Sequence, residues 1–266
     1  MENNVLIAFL LSLAAGLSTG IGGAIGIFAK RSNTKFLTFA LGLSAGVMVY
    51  ISFIEMMPES LSMLEPAYGL KNAKLVQLLS FFAGMLLIAL IDKAVPDSSN
   101  PHEAKNWNPQ DEGYKTHELE KTGILTGLAI AIHNFPEGMA SFVAALRSPS
   151  LAIPIVFAIA IHNIPEGVAV SAPIYFATGN KRRAFMYSLL SGLAEPIGAL
   201  FAWLVLAPFM SDTLYGILYA MISGIMVFIS FDELLPSAGK YGYHHVKIAG
   251  VMLGMVIMAV SLLLFI

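Results

Sequence analysis

The chain has 266 residues, 57% of them apolar and only 12% charged, with a mean hydropathy of +0.75. Soluble domains carry roughly 25% charged residues, so this composition excludes an ordinary water-soluble fold. A net charge of −2 gives no electrostatic case for a nucleic-acid partner, and the absence of cysteine excludes a disulfide framework or a thiolate metal site.

A helix needs about 20 apolar residues to cross roughly 30 Å of hydrocarbon. Eight stretches approach or exceed this, at approximately 5–29, 36–58, 75–91, 122–146, 151–178, 184–208, 213–236 and 248–266. They predict an all-α membrane protein, a single transmembrane domain of eight helices over residues 1–266, in contact with the lipid bilayer. The first stretch is not read as a cleaved signal, because Glu2 gives it an acidic leader and Lys30, Arg31 and Lys35 follow it. With the N-terminus outside, 12 of the 15 basic residues fall in inner loops and 3 in outer ones (Lys71, Lys74 and Arg147). Both termini are therefore expected outside. Segment 95–121 becomes a cytoplasmic loop. It is polar and contains His102, Trp107 and His117. The composition predicts a disordered connector, with a weak metal-receiving segment as the alternative.

Stretches two and seven repeat one another. AGVMVYISFIEMMP at 45–58 matches SGIMVFISFDELLP at 223–236 at 8 of 14 positions without a gap. Stretches one and six share a weaker pattern: Gly16-Leu17 and Ile21-Gly22 against Gly192-Leu193 and Ile197-Gly198. Related segments in opposite orientations predict an inverted repeat, an architecture that places substrate near the bilayer midplane. The repeat sets Glu55 near the outer face and Glu233, beside Asp232, near the inner face. Each glutamate precedes a helix-ending proline by three residues. An entrance and an exit is one reading; interfacial carboxylates with no path role is the other.

Stretches four and five each carry a polar box, His133-Asn134-Phe135-Pro136-Glu137-Gly138 and His162-Asn163-Ile164-Pro165-Glu166-Gly167. Both boxes and Glu195 of stretch six fall near the middle of their spans, so five ionisable side chains share one depth. A carboxylate there costs about 3 kcal/mol. No Lys or Arg interrupts any stretch, so salt bridges cannot offset that cost, whereas a bound cation can. His133 and Glu137, like His162 and Glu166, are four apart and share a helix face. Pro136, Pro165 and Pro196 each lack an N–H and clash one turn back, which predicts helix breaks beside the site. The metal ligands are read as His133, Asn134, Glu137, His162, Asn163, Glu166 and Glu195. Imidazole, carboxylate and amide donors suit Zn2+, with Fe2+, Mn2+ and Cd2+ as further candidates.

These residues resemble the ZIP (Zrt/Irt-like) family of metal transporters, in particular its bacterial zinc-uptake branch, over essentially the whole chain. The family's fourth-helix motif matches His133, Asn134, Pro136 and Glu137; its fifth-helix motif matches His162, Asn163, Pro165 and Glu166; its sixth-helix acid matches Glu195. The resemblance implies a homodimer and a 3+2+3 bundle, with helices 1–3 and 6–8 as repeats around helices 4–5. It also implies uptake of zinc and iron(II) into the cytoplasm, across a plasma membrane that is a bacterial inner membrane. Some members carry Asn-Asp where this chain has His162-Asn163, and there the aspartate bridges two metals; Asn163 cannot supply that charge. The expectation is a transporter with metal as cargo, no cofactor and no catalysis. A P-loop is absent from the sequence. The rival is an intramembrane metal-dependent hydrolase, whose expected His-Glu-x-x-His signature is missing.

Overall fold

The computed structural model describes residues 2–28, 34–94, 112–147, 149–206, 209, 211–240 and 242–264, and among the described residues there is no strand. The helices are α1 (Glu2–Phe28), α2 (Thr34–Ile51), α3 (Met57–Ala94), α4 (Glu112–Arg147) and α5 (Pro149–Thr178). They continue with α6 (Lys181–Gly192), α7 (Ala194–Phe201), α8 (Asp212–Ile229), α9 (Leu235–Gly239) and α10 (His244–Leu264). Five described segments are long and apolar enough to cross a membrane: Val5–Phe28, Thr34–Lys93, Lys181–Val205, Asp212–Gly239 and His244–Leu263.

The 60-residue segment Thr34–Lys93 is too long for one crossing. It reverses at Gly69, whose φ of 70° and ψ of 154° take the backbone out of the helix. The legs run back along each other. Gln77 Nε2 donates to the Met57 carbonyl at 2.5 Å, and the Phe53 and Phe81 rings lie 5.9 Å apart. These legs hold the expected stretches 36–58 and 75–91. The first continues helically beyond Pro58, which was expected to end it.

The reason is a wide turn just before the proline. Ser52–Met56 is π-helical, with the Met57 N–H bonding the Ser52 carbonyl. Ser230–Leu234 is also π-helical, with the Leu235 N–H bonding the Ser230 carbonyl, and Pro236 follows in the first turn of α9. One wide turn relieves the ring clash that proline imposes on the preceding turn. Ser52 Oγ donates to the Met48 carbonyl at 2.7 Å and Ser230 Oγ to the Met226 carbonyl at 2.8 Å. The sequence repeat is thus also a repeat of local geometry, and Glu55 and Glu233 occupy the same place in their π turns.

Two further expectations change. Helices α4 and α5 run unbroken through Pro136 and Pro165. The break near Pro196 falls at Leu193, between α6 and α7. Helix α4 begins at Glu112, inside the expected 95–121 loop. The Glu, Lys and Leu residues of 112–121 are good helix formers and extend the apolar span. His102 and Trp107, and the side chain of His117, lie outside the described residues.

Glycines set the packing, because backbones in a membrane approach closely only where side chains are small. Gly22 of α1 lies on the Ile164 carbonyl and Gly26 on Ser171, so α1 and α5 run parallel. Gly42 and Gly46 of α2 lie on Lys247 and Val251 of α10, again in parallel. Gly84 and Gly224 bring α3 and α8 together. The tight turn at Gly179 (φ 67°) connects α5 to α6. The helices form two groups, α1/α4/α5/α6/α7 and α2/α3/α8/α10, joined mainly where α2 meets α5 and α8 meets α4.

Candidate metal-binding site

Helices α4 and α5 form an antiparallel hairpin, with Gly123 against Ile174 and Gly127 against Val170. Continuing that register brings the two boxes level. His162 Nε2 lies 3.3 Å from both carboxylate oxygens of Glu137. Helix α7 crosses α4 where Gly138 meets the backbone of Glu195. Asn163 Nδ2 donates to Glu195 Oε1 and, at 3.1 Å, to the Ala15 carbonyl. Asn134 Nδ2 donates to the Ser191 carbonyl at 3.2 Å. Ser44 Oγ of α2 donates to Glu166 Oε1 at 3.3 Å.

Asn134, Glu137, His162, Asn163, Glu166 and Glu195 are each at most 1% exposed. The described residues thus bring together six of the seven expected ligands, through α4, α5 and α7. The seventh is His133, whose side chain lies outside the described residues. Glu55, Asp232 and Glu233 lie elsewhere, in the two π turns.

These groups meet in pairs. Among the described residues, no three His, Asp or Glu side chains converge on one metal-sized point. Three buried acceptors, Asn134 Oδ1, Asn163 Oδ1 and Glu195 Oε2, receive no hydrogen bond. An acceptor left alone at this depth is costly. A cation satisfies such oxygens, and the donor set of imidazole, carboxylate and amide oxygen fits a borderline divalent metal.

The hydroxyls around the boxes carry no obvious sequence signal and were not anticipated. Ser12 Oγ reaches the Gly138 carbonyl at 3.2 Å, and Ser188 Oγ reaches the Gly167 carbonyl at 3.2 Å. Their relation is exact in register. Ser12, Ala15, Gly16, Thr19 and Gly22 of α1 stand 176 residues before Ser188, Ser191, Gly192, Glu195 and Gly198. Each contact of one set has its counterpart in the other, with the two boxes exchanged. Ser12 serves Gly138 and Ser188 serves Gly167. Asn163 bonds Ala15 and Asn134 bonds Ser191. Gly22 lies on Ile164 and Gly198 on Phe135, while Gly16 and Gly192 face each other. The faint similarity of stretches one and six therefore marks a local two-fold relation through the site. Only the weak Gly-Leu and Ile-Gly matches could have revealed it.

Asn163→Leu, close in shape, removes the donor to the Ala15 carbonyl and to Glu195. The expected result is a loss of about 1–3 kcal/mol of stability, read as a lower melting temperature of the purified protein. An unchanged melting temperature would show that Asn163 is not holding α1, α5 and α7 together.

A family model described as ZIP Zinc transporter matches residues 92–262, a stretch that contains both boxes and Glu195. The chain is 55% identical to a zinc transporter ZupT of Clostridium perfringens, over 99% of this chain and 98% of that one. It is 54% identical to a zinc transporter ZupT of Streptococcus mutans and 53% identical to one of Lysinibacillus sphaericus, over the full length of both chains in each case.

Proposed function

The chain belongs to the ZIP zinc transporter family, and from that premise we propose that it carries zinc across a membrane into the cytoplasm through the α4–α5–α7 site. The observation that supports this most is the buried set itself. Glu137, Glu166 and Glu195 lie with His162 and two amides inside an apolar bundle. No Lys or Arg occurs in either box. A cation is the partner such a set calls for.

Zinc is the first cargo of this reading, with iron(II), manganese and cadmium admitted by the same donors. Glu55 receives the ion at the outer mouth, and Asp232 and Glu233 release it inside. The chain forms eight spans in a 3+2+3 bundle, with α4 and α5 as the central pair. The matched π turns and the exchanged contacts around the boxes support the inverted repeat. Two copies pair in a bacterial inner membrane, with both termini outside. The membrane potential drives entry: a divalent cation gains about 4.6 kcal/mol per 100 mV, twice the single-charge value.

The test is zinc uptake by proteoliposomes under an inside-negative potential, with iron(II) as competitor. Saturable uptake that iron(II) suppresses is expected. If folded protein gives no uptake under either sign of potential, and retains metal against a chelator, the intramembrane hydrolase reading takes over. Uptake is also expected to fall as the pH drops from neutral to mildly acidic. Histidine and carboxylate bind metal only when deprotonated, so added protons compete with the ion. A rate that rises steadily with acidity would contradict the ligand set.

A further inference from the structure

Around the local two-fold, one pair of counterparts differs in chemistry. Where α7 carries Glu195, α1 carries Thr19. Both are fully buried. The backbone carbonyls are used alike: Gly138 lies on that of Glu195 and Gly167 on that of Thr19. The side chains also occupy corresponding surroundings. The Glu195 carboxylate meets Asn163, whose amide also holds the Ala15 carbonyl. The Thr19 side chain faces Gly192, next to the Ser191 carbonyl that holds the Asn134 amide. Two oxygens are left over in that half: Thr19 Oγ1 and Asn134 Oδ1 are both buried, and neither has a hydrogen-bond partner.

Resting on the transport reading above, we propose that Thr19 is a residue of the metal path, the neutral counterpart of Glu195, and that the site is one-sided because of it. A hydroxyl in place of a carboxylate leaves one half of the path with a fixed negative charge and the other with neutral oxygens only. The buried site then has three carboxylates, Glu137, Glu166 and Glu195, instead of four. A fourth would deepen the well for a divalent ion, and conduction needs binding weak enough to leave. Thr19 therefore acts on affinity and release, while Asn134 beside it offers its Oδ1 as the partner donor.

The test is an exchange across the two-fold. Wild type, Glu195→Thr and the double variant Thr19→Glu/Glu195→Thr are compared for zinc uptake in proteoliposomes, at equal amounts of folded protein. Uptake is expected to fall in Glu195→Thr and to return in the double variant, because the carboxylate has been restored in the equivalent half. A purely structural threonine would give no such rescue. A double variant that keeps wild-type thermal stability and stays as inactive as Glu195→Thr overturns the proposal. Should the double variant fail to fold, the single Thr19→Glu decides by zinc titration of the purified protein. Tighter zinc binding is expected, and unchanged binding overturns the proposal. Loss of uptake in wild type itself would count against the transport reading instead.

Discussion

Replacing Glu166 with alanine is expected to abolish zinc uptake while leaving the helices assembled. Glu166 is fully buried on α5, and Ser44 of α2 donates to it at 3.3 Å. It therefore stands where the two helix groups meet. Removing one partner from a buried, hydrogen-bonded charge pair costs roughly 2–5 kcal/mol. On ion binding, that is about 30-fold to several thousand-fold. Folding responds differently. A carboxylate inside the bilayer opposes assembly, so deleting it removes a desolvation cost. The variant should melt no lower than wild type, and this separates a functional loss from an unfolded sample. Glu166→Gln keeps the shape without the charge and is expected to lose uptake as well. If both variants transport normally, the ion passes elsewhere and the site assignment fails.

Gly22→Leu is expected to destabilise the whole assembly. A Cβ at this position would sit on the Ile164 carbonyl, with the carbonyl carbon and Gly167 close behind. These are backbone atoms, so no rotamer change makes room for it. Overpacking typically costs 1–3 kcal/mol, and here α1 must separate from α5 along its length. Gly198→Leu should behave alike, because Gly198 lies on the Phe135 carbonyl of the other box. Gly239→Ala serves as the control, since its Cβ would meet only the Lys247 ammonium end, at 3.5 Å. Thermal melting in detergent distinguishes them: the two leucine variants melt well below wild type and the control close to it. A Gly22→Leu protein as stable as the control would mean that the α1–α5 crossing is not as close as it stands here.

What the sequence revealed follows from what its signals depend on. The boxes were legible because charge inside an apolar stretch has few explanations. The short link between stretches four and five made them neighbours, and the hairpin places Glu137 against His162 as that link implies. The repeat of stretches two and seven was legible from gapless identity. Less visible was anything decided by backbone detail. Pro58 reads as a stop, yet a wide turn before it lets the helix continue to the Gly69 reversal. Pro136 reads as a break, yet packing on both sides keeps α4 continuous. Residues 112–121 read as loop by polarity, although their helix propensity is high and α4 starts there. Ser12, Thr19, Ser44 and Ser188 gave no signal at all. A hydroxyl in a small-residue helix looks like packing until its partner is known.

The two π turns bear on the history of the chain. A π turn is an α-helix holding one residue too many, and it arises most simply by a single insertion. Here the surplus residue falls at the same aligned place in Ser52–Met56 and Ser230–Leu234, within a stretch that matches without gaps. Two independent insertions would have had to strike the same codon position twice. One insertion, made before the ancestral segment was duplicated, accounts for both. The bulge is then older than the two-halved protein, and the glutamate it displays belonged to the smaller ancestor.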